Sequence, residues 1–562
     1  MKSSVLCGGV FGSSLAATMA LAQPNVTFSI NPDADLKAIS SLIYGINGAM
    51  RPDGLTGLRS GGNRLTGYNW ETNHSNAGHD WFHHSDNYLV GGQPNPNPAA
   101  AVMPMLNEAA GFGGSAIVTV PMAGYVSADA NGTVGPGQTA PSSRWLEVRA
   151  KKSSVYNNSP LSLTPNKNDG YVFTDEFVNY IESNRPAGLQ NVMYSLDNEP
   201  SLWDNTHPRI FGETNPTFEQ VTSKSIEHAS AIKDVAPNAK VLGGVLFGYS
   251  AQTSLHGASD IDTWVSDEER NANPRGLYFN RHLLREMHAE EERQGRTLMD
   301  VLDIHWYPEA RGDDTRVTQN VNTPGVAAAR VQAARSLWDA DFVETSWITQ
   351  YATGGAGINL LPRIQADIDE LKPGTLISIS EYNFGGANHI SGGIAQADVL
   401  GVFGREGVYN ANRWPLENSS EQDFAVAGFE AFTNFDGEGG QFGDLSVQAL
   451  TDDNETSAIY ASRSTENPDE LILVAINRTG ESLETLIQIA GEQGYSFAEV
   501  FQLTGDSAEI QAAGVISLEG LSEFTYEMPA FSVSTIRLTA VPEPNTVGLL
   551  LLSSQLFLLR RR

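Results

Sequence analysis

The stretch from about residue 42 to residue 435 alternates short apolar runs with segments of helical periodicity. The apolar runs predict strands at 41–47, 116–121, 191–196, 240–246, 301–306 and 375–380. Between them, side chains such as Phe173, Phe177, Tyr180 and Ile181 recur at three- and four-residue steps, which indicates amphipathic helices. Because uninterrupted apolar strands are typical of a parallel sheet covered by helices, the pattern predicts an α/β fold, a TIM-like (β/α)8 barrel at residues 41–436.

The pattern changes after about residue 437, where short strands follow one another without long helices. Runs at 471–476, 498–503 and 531–538 are separated by polar and glycine-rich turns, which favours a smaller β-sandwich domain at residues 437–540. Near the other end, Val26, Phe28 and Ile30 alternate with polar residues in the same style. We therefore expect residues 23–40 to contribute a strand to this second domain.

Both ends of the chain have the composition of targeting signals. Residues 1–22 form a weakly apolar stretch that closes with Ala20, Leu21 and Ala22, a small-x-small cleavage pattern, and so predict a secretory signal peptide. The alternatives are a buried N-terminal helix, which three glycines disfavour, and a lipoprotein signal at Cys7, which Leu6 disfavours.

Residues 541–562 place Pro542-Glu543-Pro544 before a short apolar run and three arginines, and resemble a bacterial PEP-CTERM sorting signal. The resemblance implies an exosortase-type processing enzyme as a partner and contact with the membrane only through the transient tail. We accordingly expect a protein exported to the surface or the outside of a bacterium.

Charge and cysteine content narrow the function classes. The formal net charge is −31 with a pI near 4.6, which repels a phosphate backbone and argues against nucleic acid as a partner. Cys7 is the one cysteine, so a mature chain lacking residues 1–22 would have no disulfide, no thiol nucleophile and no cysteine-ligated zinc. Its chemistry must use other side chains.

Two glutamates follow apolar runs at the predicted ends of barrel strands. Glu199 lies in MYSLDNEP, and Glu381 lies in LISISEYNFGG. The carboxyl ends of barrel strands form the active face, so both side chains are expected to project into one cleft. A carboxyl pair without a metal motif is what glycoside hydrolysis requires, whereas a lone glutamate there is more often a solvated loop residue.

At these residues the sequence resembles glycoside hydrolase family 44, a family of endo-β-1,4-glucanases and xyloglucanases. The matching stretches, in family order, are GGNRLTGYNWETN at 61–73, SNAG at 75–78, DW at 80–81, SLDNEPSLW at 195–203, THPR at 206–209, DIHWYP at 303–308 and SEYN at 380–383. With the barrel and sandwich outline, the resemblance covers nearly all of residues 23–540.

The resemblance implies a retaining mechanism in which Glu199 is the general acid/base and Glu381 the nucleophile, with carboxyls about 5 to 5.5 Å apart. It also implies that Asn198 binds the sugar 2-hydroxyl and that no cofactor is needed, although a structural calcium ion would fit the family. Tyr307 is expected to donate to Glu381 and to keep it ionised, and His305 to support either carboxyl.

Aromatic side chains near these motifs are candidates for stacking on sugar rings. Each tryptophan by itself is more often a core residue, but we expect two or three of the barrel tryptophans to line the cleft. The predicted substrate-binding set consists of Asn198, Trp70, Trp203, His305, Trp306, Tyr307, Trp338, Trp347 and Tyr382.

No metal ligands can be named from the sequence. His74, His79, His83 and His84 share one loop, but their spacing matches no standard zinc pair, and no acidic cluster has EF-hand spacing.

Taken together, the motifs predict a monomeric endo-β-1,4-glucanase with possible xyloglucanase activity. Alternatives are a barrel glycosidase for glucomannan or xylan and a non-catalytic carbohydrate-binding surface protein.

Overall fold

The computed structural model describes residues 25–418 and 420–541. The predicted signal peptide, and all of the predicted sorting signal except Val541, lie outside these residues. Within them, no helix combines the length and apolar character needed to cross a membrane.

Eight parallel strands close into a barrel. In order around it, they are Gly45–Asn47, Gly57–Ser60, Ser115–Val120, Val192–Leu196, Lys240–Phe247, Val301–Trp306, Leu376–Tyr382 and Asn410–Arg413, and the last pairs with the first through Asn412 and Gly45. The six longer or more apolar strands match the predicted runs, except that Ser41–Ile43 is a 3-10 helix rather than part of a strand. The sequence patterns missed Gly57–Ser60 and Asn410–Arg413 because each contains only one apolar side chain, Leu58 or Ala411.

Helices follow seven of the barrel strands and cover the outer face. The principal helices are Met103–Gly111, Thr174–Ser183, Phe218–Val235, Tyr278–Gln294, Leu360–Leu371, Ile390–Glu406 and Asp423–Thr433, and shorter ones span Trp203–Thr206, Gly248–Ser254, Ile261–Trp264, Asp267–Ala272 and Pro324–Gln332. Local signals set their ends: Thr217 and Gln220 form a reciprocal capping box before Phe218–Val235, and Gly407 adopts the left-handed conformation after Ile390–Glu406.

The second region is rich in β-sheet. Its strands follow one hydrogen-bonded path, in the order Ser507–Leu521, Tyr495–Thr504, Ser532–Ala540, Glu470–Asn477, Ser457–Arg463, Leu445–Thr451, Val26–Asn31, Leu483–Ile489 and Glu523–Met528. The two-residue strand Lys37–Ala38 lies off this path and pairs with Leu445–Thr451. Residues from both halves of the path, among them Phe28, Ile487, Leu473 and Ile536, share one hydrophobic core. The name β-sandwich and the exact domain boundaries stay predictions.

A buried ion pair joins the two regions. Arg478, which follows the strand Glu470–Asn477, donates to Asp398 on the barrel helix Ile390–Glu406 at 2.7 Å, and both side chains are fully buried. The Tyr460 hydroxyl donates to the other oxygen of Asp398, also at 2.7 Å. This contact holds the helix that follows the Glu381 strand against the β-rich region.

Candidate active site

The carboxyl ends of the barrel strands surround a cavity of about 450 Å³ that contains both predicted glutamates. Its lining residues are Gly62, Asn63, Asp80, Asn198, Glu199, Phe247, Tyr307, Arg316, Thr318, Glu381, Trp414 and Leu416. One carboxylate oxygen of Glu199 lies within 4.8 Å of one from Glu381. This separation suits direct attack by one carboxylate on a bond that the other protonates.

Arg59, on the strand Gly57–Ser60, binds the Glu381 side of the site. Its Nη1 donates to Glu381 Oε1 at 2.6 Å, and its Nη2 donates to Asn198 Oδ1 at 2.9 Å. The Arg59 side chain is fully buried and that of Glu381 is 6% exposed, so water screens the pair only weakly. The sequence patterns missed Arg59 because they also missed the short strand that carries it, and the remaining signal in the sequence is the Gly61-Gly62 pair two residues later.

Two side chains from the strand Val301–Trp306 and its end connect the carboxylates. The Tyr307 hydroxyl donates to Glu381 Oε2 at 2.8 Å, which is the contact expected from the sequence. His305 Nδ1 lies 2.8 Å from Glu199 Oε1 and 3.5 Å from Glu381 Oε2. The imidazole therefore bridges the two carboxylates from one side.

These contacts drive the pKa values of the two glutamates in opposite directions. Burial by itself would raise the pKa of Glu381, but the charges of His305 and Arg59 and the hydrogen bonds from Arg59 and Tyr307 outweigh burial and hold it below its ordinary value. For Glu199, burial dominates over the hydrogen bond and charge of His305 and raises its pKa, and the negative charge of Glu381 adds to the rise. One carboxyl is thus kept ionised while the other is kept ready to hold a proton.

The backbone around Glu199 is strained and held by Asp197. Both residues adopt left-handed conformations, with φ of 67° at Asp197 and 47° at Glu199. The buried Asp197 carboxylate accepts from the Thr66 hydroxyl at 2.5 Å and from the Met122 amide at 2.8 Å, and these bonds fix the turn. Such strain costs on the order of 1 kcal/mol per residue and occurs typically where a side chain must be aimed.

Asn198 is oriented with its amide nitrogen toward the cavity side. Its Oδ1 accepts from both Arg59 and the Gly62 amide, at 2.9 and 3.1 Å. Its Nδ2 has one long contact, 3.3 Å to Asn63 Oδ1. The side chain can therefore donate a hydrogen bond to a hydroxyl in the cavity.

Four of the predicted substrate-binding aromatics are instead core residues, and those predictions are wrong. Trp70, Trp203, Trp306 and Tyr382 are each at most 2% exposed. Trp70 stacks on Phe177, with ring centroids 5.4 Å apart, and the Tyr382 hydroxyl accepts from Gln396 at 2.9 Å. Trp70 and Tyr382 thus pack against the helices Thr174–Ser183 and Ile390–Glu406.

The reason is the alternation of side chains along a strand. His305 and Tyr307 both bond to the glutamates, so Trp306 between them lies on the opposite side of the strand, where it borders a small neighbouring cavity. Tyr382, next to Glu381, packs against Phe403 of the helix Ile390–Glu406. The two-residue period was available from the sequence and could have excluded both aromatics.

The other two predicted tryptophans lie outside the main cavity, and a third tryptophan, which was not predicted, lines it. Trp338 is half-buried beneath the guanidinium of Arg405, 4.0 Å from its ring, and does not line the cavity. Trp347 is 37% exposed and shares a small neighbouring cavity with Phe247 and Tyr307. Trp414, directly after the strand Asn410–Arg413, lines the main cavity but was absent from the predicted set.

Among the described residues, the one group of three acidic or histidine donors that converge is Glu199, His305 and Glu381. Arg59 and Tyr307 already bond to the two oxygens of Glu381, so this set has the chemistry of a paired carboxylate site. The four loop histidines form no such group within 25–418, and the rings of His79 and His83 stack at 5.8 Å.

Comparison with known proteins assigns the family. The model of glycoside hydrolase family 44 matches residues 74–310. A solved family 44 xyloglucanase from Paenibacillus polymyxa is 37% identical, with a TM-score of 0.85, over 92% of this chain and 99% of that one. The chain belongs to glycoside hydrolase family 44.

Other relatives agree with this family 44 hydrolase along most of its length. A family 44 endoglucanase structure from Clostridium thermocellum is 39% identical, with a TM-score of 0.84, over 91% of this chain and 99% of that one. Endoglucanase A of Paenibacillus lautus is 39% identical over 540 residues, which are 94% of this chain and 74% of that protein. The beta-mannanase/endoglucanase A of Caldicellulosiruptor saccharolyticus is 40% identical, but this chain spans only 38% of it. Like the family, the enzyme needs no cofactor for catalysis.

Proposed function

We propose that this family 44 enzyme is a retaining endo-β-1,4-glucanase that hydrolyses cellulosic β-glucan, xyloglucan or both. The observation that supports the mechanism best is the pair of glutamates, whose oxygens approach within 4.8 Å and whose pKa values are shifted apart. A spacing this short leaves no room for the water that an inverting enzyme places between its carboxyls.

In the first step, ionised Glu381 attacks the anomeric carbon. The glycosidic C–O bond breaks as Glu199 gives its proton to the departing oxygen, and a glycosyl ester forms on Glu381. Arg59 and Tyr307 hold the attacking carboxylate in place through their bonds to its two oxygens. Asn198, with Nδ2 directed to the cavity, is positioned to donate to the sugar 2-hydroxyl.

In the second step, the charged Glu199 takes a proton from water. The resulting hydroxide equivalent attacks the anomeric carbon from the face opposite Glu381, the ester bond breaks, and the anomeric configuration of the substrate is restored. His305, 2.8 Å from Glu199, stabilises that carboxylate while it is ionised.

The surroundings of the cavity support action on a polymer. Trp414 lines the cavity, Trp347 is partly exposed beside it, and Trp81, next to the lining residue Asp80, is 59% exposed. Indole faces stack on the C–H faces of sugar rings, and separate platforms suit a chain that extends past the cleaved bond.

The relatives favour a β-1,4-glucan backbone. The Paenibacillus polymyxa relative is described as a xyloglucanase and the Clostridium thermocellum relative as an endoglucanase. The Caldicellulosiruptor saccharolyticus relative, however, is a beta-mannanase/endoglucanase, and a further structure, 26% identical, is a bifunctional glucanase-xylanase. Glucomannan and xylan are therefore the alternative substrates, and a non-catalytic binding protein is the alternative class.

A substrate panel with the matched variant Glu199→Ala tests the proposal. The wild type should release oligosaccharides from xyloglucan or carboxymethylcellulose faster than from glucomannan or xylan. Glu199→Ala should lose about 10² to 10⁴ in rate on polysaccharide and be partly rescued by azide, which needs no general base. An inverted product anomer by NMR would exclude the retaining mechanism, and wild-type protein that releases no sugar would favour the binding class.

We also propose that the enzyme is exported and processed near Pro542-Glu543-Pro544. The sequence patterns at residues 1–22 and 541–562 support this location, and an exosortase-type enzyme is the expected partner. Intact mass measured on protein from the native host is the test. A main mature species that retains Arg560 to Arg562 would contradict processing.

A further inference from the structure

We propose that Asp303 and Ser380 are positioning residues that fix a proton on Nε2 of His305. The exchangeable proton of the imidazole is then confined to Nδ1, the nitrogen that faces Glu199. The catalytic meaning of this arrangement rests on the proposed function, because it assumes that Glu199 is the acid/base. The placement of the proton itself does not.

The other hydrogen bonds of Ser380 leave its hydroxyl oxygen able only to accept a hydrogen bond from His305. Its hydroxyl lies 2.5 Å from Asp303 Oδ2, and its backbone amide donates to Asp303 Oδ1 at 3.0 Å. Asp303, His305 and Ser380 are all fully buried, so no water competes. A hydroxyl has a single proton, and the short contact with the carboxylate assigns that proton to Asp303. The lone pairs of Ser380 Oγ must therefore accept from His305 Nε2, 3.2 Å away.

An irregularity in the strand pairing brings Ser380 to this place. Asp303 pairs with Ser378, but His305 pairs with Glu381, so Leu376–Tyr382 has one more residue than Val301–Trp306 between these two pairs. In a regular strand, Ser380 and Glu381 would point to opposite faces. The extra residue lets both reach the same imidazole, with Ser380 at Nε2 and Glu381 at Nδ1.

The charged groups around His305 divide between its two nitrogens. Glu199 and Glu381 lie 2.8 and 3.5 Å from Nδ1, and Tyr307 reaches the same side through its bond to Glu381. On the other side, Arg59 Nη2 lies 3.4 Å from Nε2, where it would favour an unprotonated nitrogen. That Arg59 nitrogen already donates to Asn198 at 2.9 Å, whereas Ser380 is closer to Nε2 and is bonded to the Asp303 carboxylate. The balance favours a protonated Nε2.

With Nε2–H fixed, His305 and Glu199 share one movable proton. When the Nδ1–H bond breaks and an Oε1–H bond forms, an imidazolium and a carboxylate become a neutral imidazole and a carboxylic acid, with no change in total charge. Asp303, negative and one hydroxyl away, stabilises the imidazolium form. It thereby raises the pH up to which the pair keeps its proton.

The first test reads the tautomer without reference to activity. Protein labelled with ¹⁵N-histidine is compared by NMR with the same preparation of His305→Gln, which identifies the His305 signals. We expect the Nε2 shift of His305 to be that of a protonated nitrogen at every pH at which the fold is intact. A neutral ring with the proton only on Nδ1 would overturn the proposal, whether or not the enzyme cleaves β-glucan.

The second test uses Asp303→Asn, Ser380→Ala and Ser380→Thr. Removing the Asp303 charge should move the basic limb of the kcat/KM profile on polysaccharide to lower pH by about one unit. Ser380→Ala should move it in the same direction, and Ser380→Thr, which keeps the hydroxyl, should restore the wild-type profile. Activity on a 2,4-dinitrophenyl cellooligosaccharide, whose leaving group needs no acid, should change much less.

A merely structural role would lower both activities equally and leave the basic limb in place, and that outcome would contradict the proposal. If the variants fail to fold, the NMR measurement on the wild type still decides. If the wild type releases no sugar from any polymer, the proposed function fails while the tautomer result stands.

Discussion

The molecule contains two buried arginine–carboxylate pairs that have nearly the same geometry and different surroundings. Arg59 and Glu381 meet at 2.6 Å in the mouth of the barrel, and Arg478 and Asp398 meet at 2.7 Å between the barrel and the β-rich region. All four side chains are at most 6% exposed. The geometry of the pair therefore does not distinguish a reactive site from a structural contact.

The neighbours of each pair make the difference. Asp398 is bonded by Arg478 and Tyr460, and Arg478 also donates to the carbonyl oxygens of Asn454 and Ser457, both at 2.6 Å. Those bonds tie three chain segments together. Glu381 lies beside His305 and Glu199 and borders the cavity, so its carboxylate can form a bond to a substrate. A buried ion pair becomes chemically useful where a second titratable group and an open space lie beside it.

The largest expected effect separates the two carboxylates by activity. Glu381→Gln should lower kcat on polysaccharide by about a thousandfold or more, equivalent to about 4 kcal/mol, because the amide cannot form the glycosyl ester. Binding of the polymer should persist, as measured by affinity electrophoresis. Asp398→Asn, assayed at a temperature where it is folded, is the control and should keep its kcat within about twofold. A Glu381→Gln enzyme with a tenth of wild-type activity would refute the nucleophile assignment.

For stability, the larger effect is expected from the Arg478–Asp398 pair. Asp398→Asn leaves the buried Arg478 without its counter-ion and should lower the free energy of unfolding by about 3 to 5 kcal/mol. Urea unfolding followed by tryptophan fluorescence measures the loss. The double variant Asp398→Leu/Arg478→Met should recover much of it, since replacing both charges removes the unpaired ion. A single variant as stable as the wild type would show that the contact does not hold the two regions together.

A smaller effect concerns the acid limb of activity. Arg59 lowers the pKa of Glu381 by its charge and its hydrogen bond, so Glu381 stays ionised until the pH falls through that lowered value. Arg59→Gln should raise this pKa and move the acid limb of kcat/KM to higher pH by about one unit or more. Arg59→Lys keeps the charge and should move it less. Tyr460→Phe, at the other ion pair, should leave the acid limb unchanged. An acid limb that does not move in Arg59→Gln would show that Arg59 does not lower the pKa of Glu381.

The smallest expected effect is that of salt on activity. The net charge of −31 makes the surface repel itself, and raising NaCl from 0.1 M to 1 M shortens the Debye length from roughly 10 Å to 3 Å. The melting temperature should rise, while kcat/KM on neutral xyloglucan should change by less than about twofold, because the Arg59–Glu381 pair is buried. A steep salt dependence of activity at constant stability would show instead that surface charge acts on the site.

Much of the site could be predicted from the sequence because strand pattern and chemistry coincide there. Apolar runs that end in NEP and SEY place Glu199 and Glu381 at strand ends, and a barrel brings all such ends to one face. Tyr307 was also predicted to donate to Glu381, and the structure has that bond. The placement of the two glutamates needed the strand pattern and the barrel that it predicts, whereas their roles and the Tyr307 contact also needed the family resemblance.

The tertiary structure decided which side chains meet through closure of the barrel and through the pairing register of its strands. Arg59 reaches Glu381 across 322 positions of the chain, because the last barrel strand pairs with the first. The extra residue in the Glu381 strand likewise sets Ser380 against His305. Sequence periodicity specifies which face a side chain takes within one strand, whereas pairing between strands specifies which distant side chain it meets.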